Sequence, residues 1–201
     1  MTMTPMTKLL TGSTTLALAG LLACGGGGGG ASAPAPAPPA TASGLAYTDP
    51  ASGSYLLKKN TALSTEAHLV LDLVGPASTT GSGVSATFIT DATKVAWVNV
   101  ATSDPANAFV QNGTAFNLGA APQILRGAVS GGSLQVTVAQ KGTTSPVSLN
   151  APLLRIALDL KASQPKGTIG LGASATKCQM LDGTGAIVSP IAVSVGTLTA
   201  Q

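Results

Sequence analysis

Few side chains in this sequence can do chemistry. Its 201 residues include one histidine, two cysteines and seven carboxylates. His68 lies in the alternating stretch His68-Leu69-Val70-Leu71-Asp72-Leu73-Val74, on the side opposite the three leucines. A triad needs a serine and an acid arranged around the imidazole, and no Gly-x-Ser-x-Gly elbow occurs. A metal site needs clustered ligands, which these scattered carboxylates do not supply. Asp72, Asp91, Asp104 and Asp159 are the acids that folding could gather into a glycosidase pair; this enzymatic reading ranks behind two binding functions. Trp97, Tyr47 and Tyr55 are candidate sugar-stacking platforms, although large aromatics dominate cores and packing is the stronger expectation for Trp97. No catalytic residue, metal site or cofactor is expected, and the chain reads as a non-enzyme.

The clearest chemistry is covalent and lies near the amino end. An apolar run from Leu9 to Ala23 follows Lys8 and leads into Leu21-Leu22-Ala23-Cys24. These are the parts of a secretory signal. The run is diluted by Thr, Ser and Gly and is shorter than the roughly 20 residues a spanning helix needs. Cys24 is followed by six glycines, Gly25 to Gly30, and then by Ala31-Ser32-Ala33-Pro34-Ala35-Pro36-Ala37-Pro38-Pro39-Ala40. Polyglycine is a flexible coil and an Ala-Pro run favours polyproline II. Neither can bury a core, so both are expected to be disordered. No strand precedes the glycines and no Lys-Ser/Thr follows them, which excludes a phosphate loop.

This amino-terminal pattern resembles bacterial lipoprotein signals. The resemblance implies cleavage before Cys24, a diacylglycerol on its sulfur and acylation of the new amino group. Two or more chains anchor stably where one binds reversibly. In that family Asp after the cysteine marks inner-membrane retention, so Gly25 favours the outer membrane. The expected layout is a signal peptide over 1–23, a lipidated Cys24 and spacer over 24–43, and a folded domain over 44–201.

Residues 24–201 retain nine basic and seven acidic side chains, with Lys58-Lys59 the one adjacent pair. A nucleic-acid footprint needs a dense basic face, so that partner class is excluded. Charged residues make up 8% of the chain and aromatics 3%, with Thr, Ser, Ala, Gly and Val in their place. That mixture suits strands and turns. If Cys24 carries lipid, Cys178 has no partner and reads as a small buried apolar side chain.

The folded region alternates with a period of two nearly throughout. Strands are expected around Tyr55–Lys59, His68–Val74, Val84–Phe88, Lys94–Val100, Ile124–Val129 and Leu134–Ala139. Further strands follow over Leu154–Leu160, from Ile169 through Ala173 to Met180, and from Ile191 into Leu198. Ser130-Gly131-Gly132 reads as a hairpin link, Asp182-Gly183 as a turn, and the change of phase before Cys178 as a bulge. About nine short strands with turns between them predict an all-β sandwich of the jelly-roll kind. The expected core contains Leu69, Leu71, Leu73, Phe88, Trp97, Leu134, Val136, Leu154, Ile156, Leu158, Ile169, Leu171 and Val193.

The order of these segments, from Leu69-Val70-Leu71-Asp72-Leu73 through Gly83–Asp91, Val95–Val100 and Leu153–Leu160 to Gly167–Met180, Asp182-Gly183-Thr184-Gly185 and Val195–Thr199, resembles the cohesin-like domains over residues 64–200. It departs at Thr90-Asp91, where cohesins carry a tyrosine-aspartate pair, and across Tyr47–Glu66, which has no counterpart. The resemblance implies a jelly-roll sandwich, shared with some carbohydrate-binding modules, and a protein partner: cohesins bind dockerins, which carry their own calcium loops. No contact residues carry over. The expected function is therefore an envelope lipoprotein that holds a non-catalytic binding module at a membrane. The alternative is a carbohydrate-binding module with a polysaccharide ligand.

Overall fold

The structure is a computed structural model that describes residues 39–119, 124–141 and 145–201. Cys24, the signal segment and most of the glycine-proline spacer lie outside the described residues. No helix occurs among the described residues.

Among the described residues sixteen strands form three sheets. The first five are β1 (Leu45–Thr48), β2 (Tyr55–Lys59), β3 (His68–Val74), β4 (Thr80–Thr90) and β5 (Val95–Val98). Then come β6 (Gln111–Asn112), β7 (Leu125–Ser130), β8 (Ser133–Ala139), β9 (Val147–Ser148), β10 (Pro152–Leu160) and β11 (Gly167–Ile169). The last are β12 (Leu171–Ala173), β13 (Gln179–Asp182), β14 (Ile187–Val188), β15 (Val193–Ser194) and β16 (Thr197–Ala200). A six-stranded sheet runs β15-β2-β3-β10-β5, with β6 pairing β10. A seven-stranded sheet runs β14-β13-β4-β8-β7, with β12 and β9 both on β4. A three-stranded sheet, β1-β16-β11, joins the two ends of the domain.

The two large sheets pack by their inner faces, as the alternation requires. On β3 and β10, Leu69, Leu71, Leu73, Leu154, Ile156 and Leu158 all point inward and are fully buried. From the opposite sheet Val84, Ala86, Phe88, Leu134, Val136 and Val138 meet them. Every expected core residue is in this cluster, Leu171 and Val193 as partly buried members at its edge. Cys178 is a free, fully buried thiol in the same cluster. Burial pushes its pKa up, against a backbone hydrogen bond from Thr87.

The β7–β8 hairpin closes over Gly131-Gly132, with Ser130 opposite Ser133. Gly131 has φ near 58°, the left-handed region that two-residue hairpin turns require. The phase does change before Cys178, but through a break in place of the expected bulge: β12 and β13 pair separately with β4, at Phe88–Thr90 and at Gly81–Ser85, with residues 174–178 between them. The strands beyond the expected nine are mostly ladders of two or three residues. The exception is β1, a four-residue strand ahead of the expected opening strand at Tyr55; its Leu45 and Tyr47 are buried in the core.

Candidate binding face

The sequence candidates for sugar stacking are interior residues. Trp97, on β5, is 6% exposed and its ring lies 6.5 Å from that of Phe88, at 47°. Its Nε1 donates to the Gly132 carbonyl at 2.9 Å, linking the six-stranded sheet to the hairpin of the other. Tyr47 is buried; its hydroxyl donates to the Leu57 carbonyl at 2.8 Å and accepts from the Gly196 amide at 2.7 Å. Burial, opposed by the Gly196 bond and reinforced by repulsion from Asp49, pushes its pKa up to about 12. Tyr55 is buried too, and its hydroxyl meets Met180 Sδ at 2.7 Å across the sandwich. Desolvation raises its pKa. A buried ring offers no face to a sugar, so none of Trp97, Tyr47 and Tyr55 is placed to stack on one. The strand period places Trp97 on the same side as Val95, which points inward; apolar Ala96 and Val98 on the other side mask that signal.

The four candidate acids are each committed to a local partner. Asp72 Oδ1 accepts from Arg155 Nε at 3.0 Å and Asp72 Oδ2 from Asn60 Nδ2 at 2.9 Å. Asp104 accepts from the Ala101 amide and from Gln111 Nε2. Asp91 is held below the ordinary carboxylate range, first by the Thr93 hydroxyl and then by the Thr93 amide. Asp182 is lowered in the same way by the Thr184 hydroxyl and the amides of Ala186 and Thr184. In the β3–β10 ladder Asp159 stands opposite His68, four residues along from the Asp72–Arg155 pair. At about 3.4 Å per residue the backbone positions of Asp72 and Asp159 are roughly 14 Å apart along the strands, beyond the spacing of a glycosidase pair. His68 Nδ1 meets Asp159 Oδ1 at 2.6 Å and its Nε2 meets the Val100 carbonyl at 3.1 Å. The second contact occupies the nitrogen that would have to take a proton from a nucleophile.

These partners define the outer face of the six-stranded sheet. Lys58, Asp72, Arg155 and Gln111 stand in one row across β2, β3, β10 and β6. A loop over residues 99–110 covers much of the rest. Val100 packs there with Val70 and Ala157 in a small second core. Asn99 staples the loop, donating to the Pro105 carbonyl at 2.9 Å and accepting from the Phe109 amide at 3.1 Å.

The outer face of the seven-stranded sheet is built differently. Its strands carry two charged residues, Arg126 on β7 and Asp182 at the end of β13. One row across β13, β4, β8 and β7 reads Gln179, Ser85, Thr137, Arg126; the next has Thr87, Gln135 and Ala128. Beyond them Ile89 stands 51% exposed. At the other end Gly83 and Ala139 floor a shallow groove of about 150 Å³ walled by Leu181 and Ile187. The groove needs a glycine: a Cβ on Gly83 would meet the Ala139 methyl at 2.5 Å. Of the six exposed large aliphatics among the described residues, Ile89, Ile124, Val129, Ile187 and Val188 belong to this sheet or directly adjoin it.

No family model matches the chain, and no curated protein matches it by sequence. Solved structures do. A type II cohesin domain from the cellulosome of Acetivibrio cellulolyticus superposes with a TM-score of 0.52 at 13% identity, over 73% of this chain and 94% of that one. The second type II cohesin module of the cellulosomal adaptor ScaA scaffoldin from the same organism gives 0.50 at 12%, over 69% and 91%. The type II cohesin dyad of that scaffoldin gives 0.50 at 13%, over 73% of this chain and 48% of the dyad. At these identities the likeness is one of fold, and the fold is the cohesin-like sandwich.

Proposed function

We propose that this chain is a surface-tethered, non-catalytic binding module that engages a protein partner through the outer face of its seven-stranded sheet. The observation that carries this reading is the distribution of exposed aliphatics. Five of six lie on or beside that sheet, and three of them, Ile89, Ile124 and Ile187, fall on its outward side, whereas Val129 and Val188 pair with the inward Leu134 and Met180. The field around the three is one of hydroxyls, amides and small side chains with little charge. Depletion of charge around exposed apolar side chains is the composition of an interface centre. The cohesin-like fold agrees with a protein partner. The outer face of the six-stranded sheet is a poor alternative, because Asp72, Arg155, His68 and Asp159 are already paired there and a loop lies over part of it. The lipobox at Cys24 and the glycine-proline spacer support a lipid anchor in the envelope, with the outer membrane favoured by Gly25.

The test uses the full chain expressed in a host that processes lipoproteins. A photo-crosslinking residue at Gln135 should capture a protein from envelope extracts, whereas the same residue at Lys58 should not. Ile89→Asp should abolish the capture without lowering the melting temperature. Equal capture at both sites, or capture indifferent to Ile89→Asp, overturns the assignment of the face. Mass spectrometry of the amino-terminal peptide should show acyl chains on Cys24; a free thiol and release to the medium overturn the anchor.

A further inference from the structure

The seven-stranded sheet ends in an open edge at β14. Ile187 is 66% exposed and Val188 42%, and β14 pairs with β13 alone among the described strands. The hydrogen-bond phase of that hairpin can be fixed. The Asp182 amide donates to the Ala186 carbonyl at 2.9 Å. Antiparallel ladders alternate bonded and non-bonded pairs, so Met180 and Val188 form the next bonded pair. Leu181 and Ile187, between them, are a non-bonded pair. The main-chain N–H and C=O of Ile187 therefore point away from the sheet.

Natural edges are usually blocked by a charge, above all a lysine. Here the chain from Gly183 to Gln201 has no charged residue. An identical edge approaching antiparallel would set no charged side chain of β14 against its counterpart; Asp182 lies one strand in, on β13. That approach would bring the outward N–H and C=O of one Ile187 against those of the other.

We propose that a second copy of this chain docks on β14 about a two-fold axis through Ile187. Each Ile187 donates to and accepts from its counterpart, and the two side chains lie side by side on the outer face. This extends the row of Leu181 and Ile187 across the junction, and it is an isologous contact that closes on itself. A two-residue edge buries far less than the roughly 1,200 Å² of a standard interface. The dimer is therefore weak in dilute solution and strongly dependent on concentration. Confinement to one surface would strengthen it through effective concentration.

The experiment traps the contact in the full chain carrying Cys24→Ser. A bonded antiparallel pair holds its Cα atoms about 5.5 Å apart, within disulfide range. Ile187→Cys should give a disulfide dimer at least about tenfold faster than the exposed control Thr102→Cys, because the pair is held at high local concentration. In sedimentation equilibrium the parent chain should associate as concentration rises, while Ile187→Lys should remain monomeric with unchanged thermal unfolding. Ile89→Asp, which addresses partner capture, should leave the cross-link intact. Equal cross-linking at residues 187 and 102, or sedimentation indifferent to Ile187→Lys, overturns the proposal.

Discussion

The two outer faces of the sandwich are made from strands of similar length but solve opposite problems. On the six-stranded sheet the polar side chains face one another. Asp72 finds Arg155 and Asn60, His68 finds Asp159, and the 99–110 loop folds down over Val70 and Ala157. On the seven-stranded sheet the short hydroxyls of Ser85 and Thr137 pair with each other, while the longer Gln135, Gln179 and Arg126 are exposed without a side-chain partner among the described residues. Ser85 bonds Thr137 at 2.9 Å, while Ile89 and Arg126 are left to solvent. A face whose groups are satisfied within the chain contributes to stability. A face whose groups are not satisfied is available to something else. The difference can be broken or sharpened by substitutions on either side.

The interior between the faces sets the upper bound. Trp97→Ala removes a packed ring and the Nε1 bond that joins β5 to the β7–β8 turn. It should lower unfolding free energy by about 3–5 kcal/mol, read by denaturant titration. A loss near zero would return Trp97 to the surface and reopen the sugar-stacking reading.

Next in size is Asp72→Ala on the satisfied face. The carboxylate is 12% exposed and its Arg155 partner 21%. Removing it leaves a guanidinium and the Asn60 amide short of an acceptor in a partly buried site, a loss of about 1–3 kcal/mol. If Asp72→Ala proves neutral, the face is no more self-sealed than its opposite and the contrast collapses.

A smaller effect should appear at alkaline pH. The folded pKa of Tyr47 is raised to about 12, above its ordinary value near 10. Folding favours the neutral phenol. This contribution is complete below about pH 10 and is lost as pH rises towards about 12. Stability should fall through that window, and Tyr47→Phe should flatten the fall while lowering stability at neutral pH through loss of the bonds to Leu57 and Gly196.

Much of this architecture is legible in the sequence because period two is a direct signal wherever one face is buried. Leu69-Val70-Leu71-Asp72-Leu73 and Leu154-Arg155-Ile156-Ala157-Leu158 give strand, face and core at once, and every one of their inward residues is fully buried. β6, β9 and β14 are not legible, since two residues have no period. β1 is short and stands just before the Asp49-Pro50 turn. Trp97 is ambiguous because β5 is apolar on both sides, one facing the main core and the other lying towards the small core under the 99–110 loop. The proposed binding face gives the least warning. Ser85, Gln135 and Thr137 occupy ordinary outward positions on alternating strands, and Thr87, on the same side, is 6% exposed. What sets them apart is the neighbours that strand pairing brings beside them, across separations of some fifty residues along the chain.

The smallest predicted change is the most discriminating. Gln135 is exposed at the centre of the seven-stranded sheet, opposite Thr87 on β4 and Ala128 on β7. Its side chain has no hydrogen bond of the kind that holds Asp72, so Gln135→Ala should shift stability by no more than about 0.5 kcal/mol. If this face serves the fold, as the six-stranded face does, Gln135→Ala and Asp72→Ala should both destabilise. If it serves a partner, Gln135→Ala should be silent in the unfolding titration and visible in capture, with Asp72→Ala showing the reverse. Measuring both variants in both assays separates the two roles whatever the partner turns out to be. A Gln135→Ala variant that loses stability as Asp72→Ala does would place this face within the fold's own support and remove the reason for expecting a partner there.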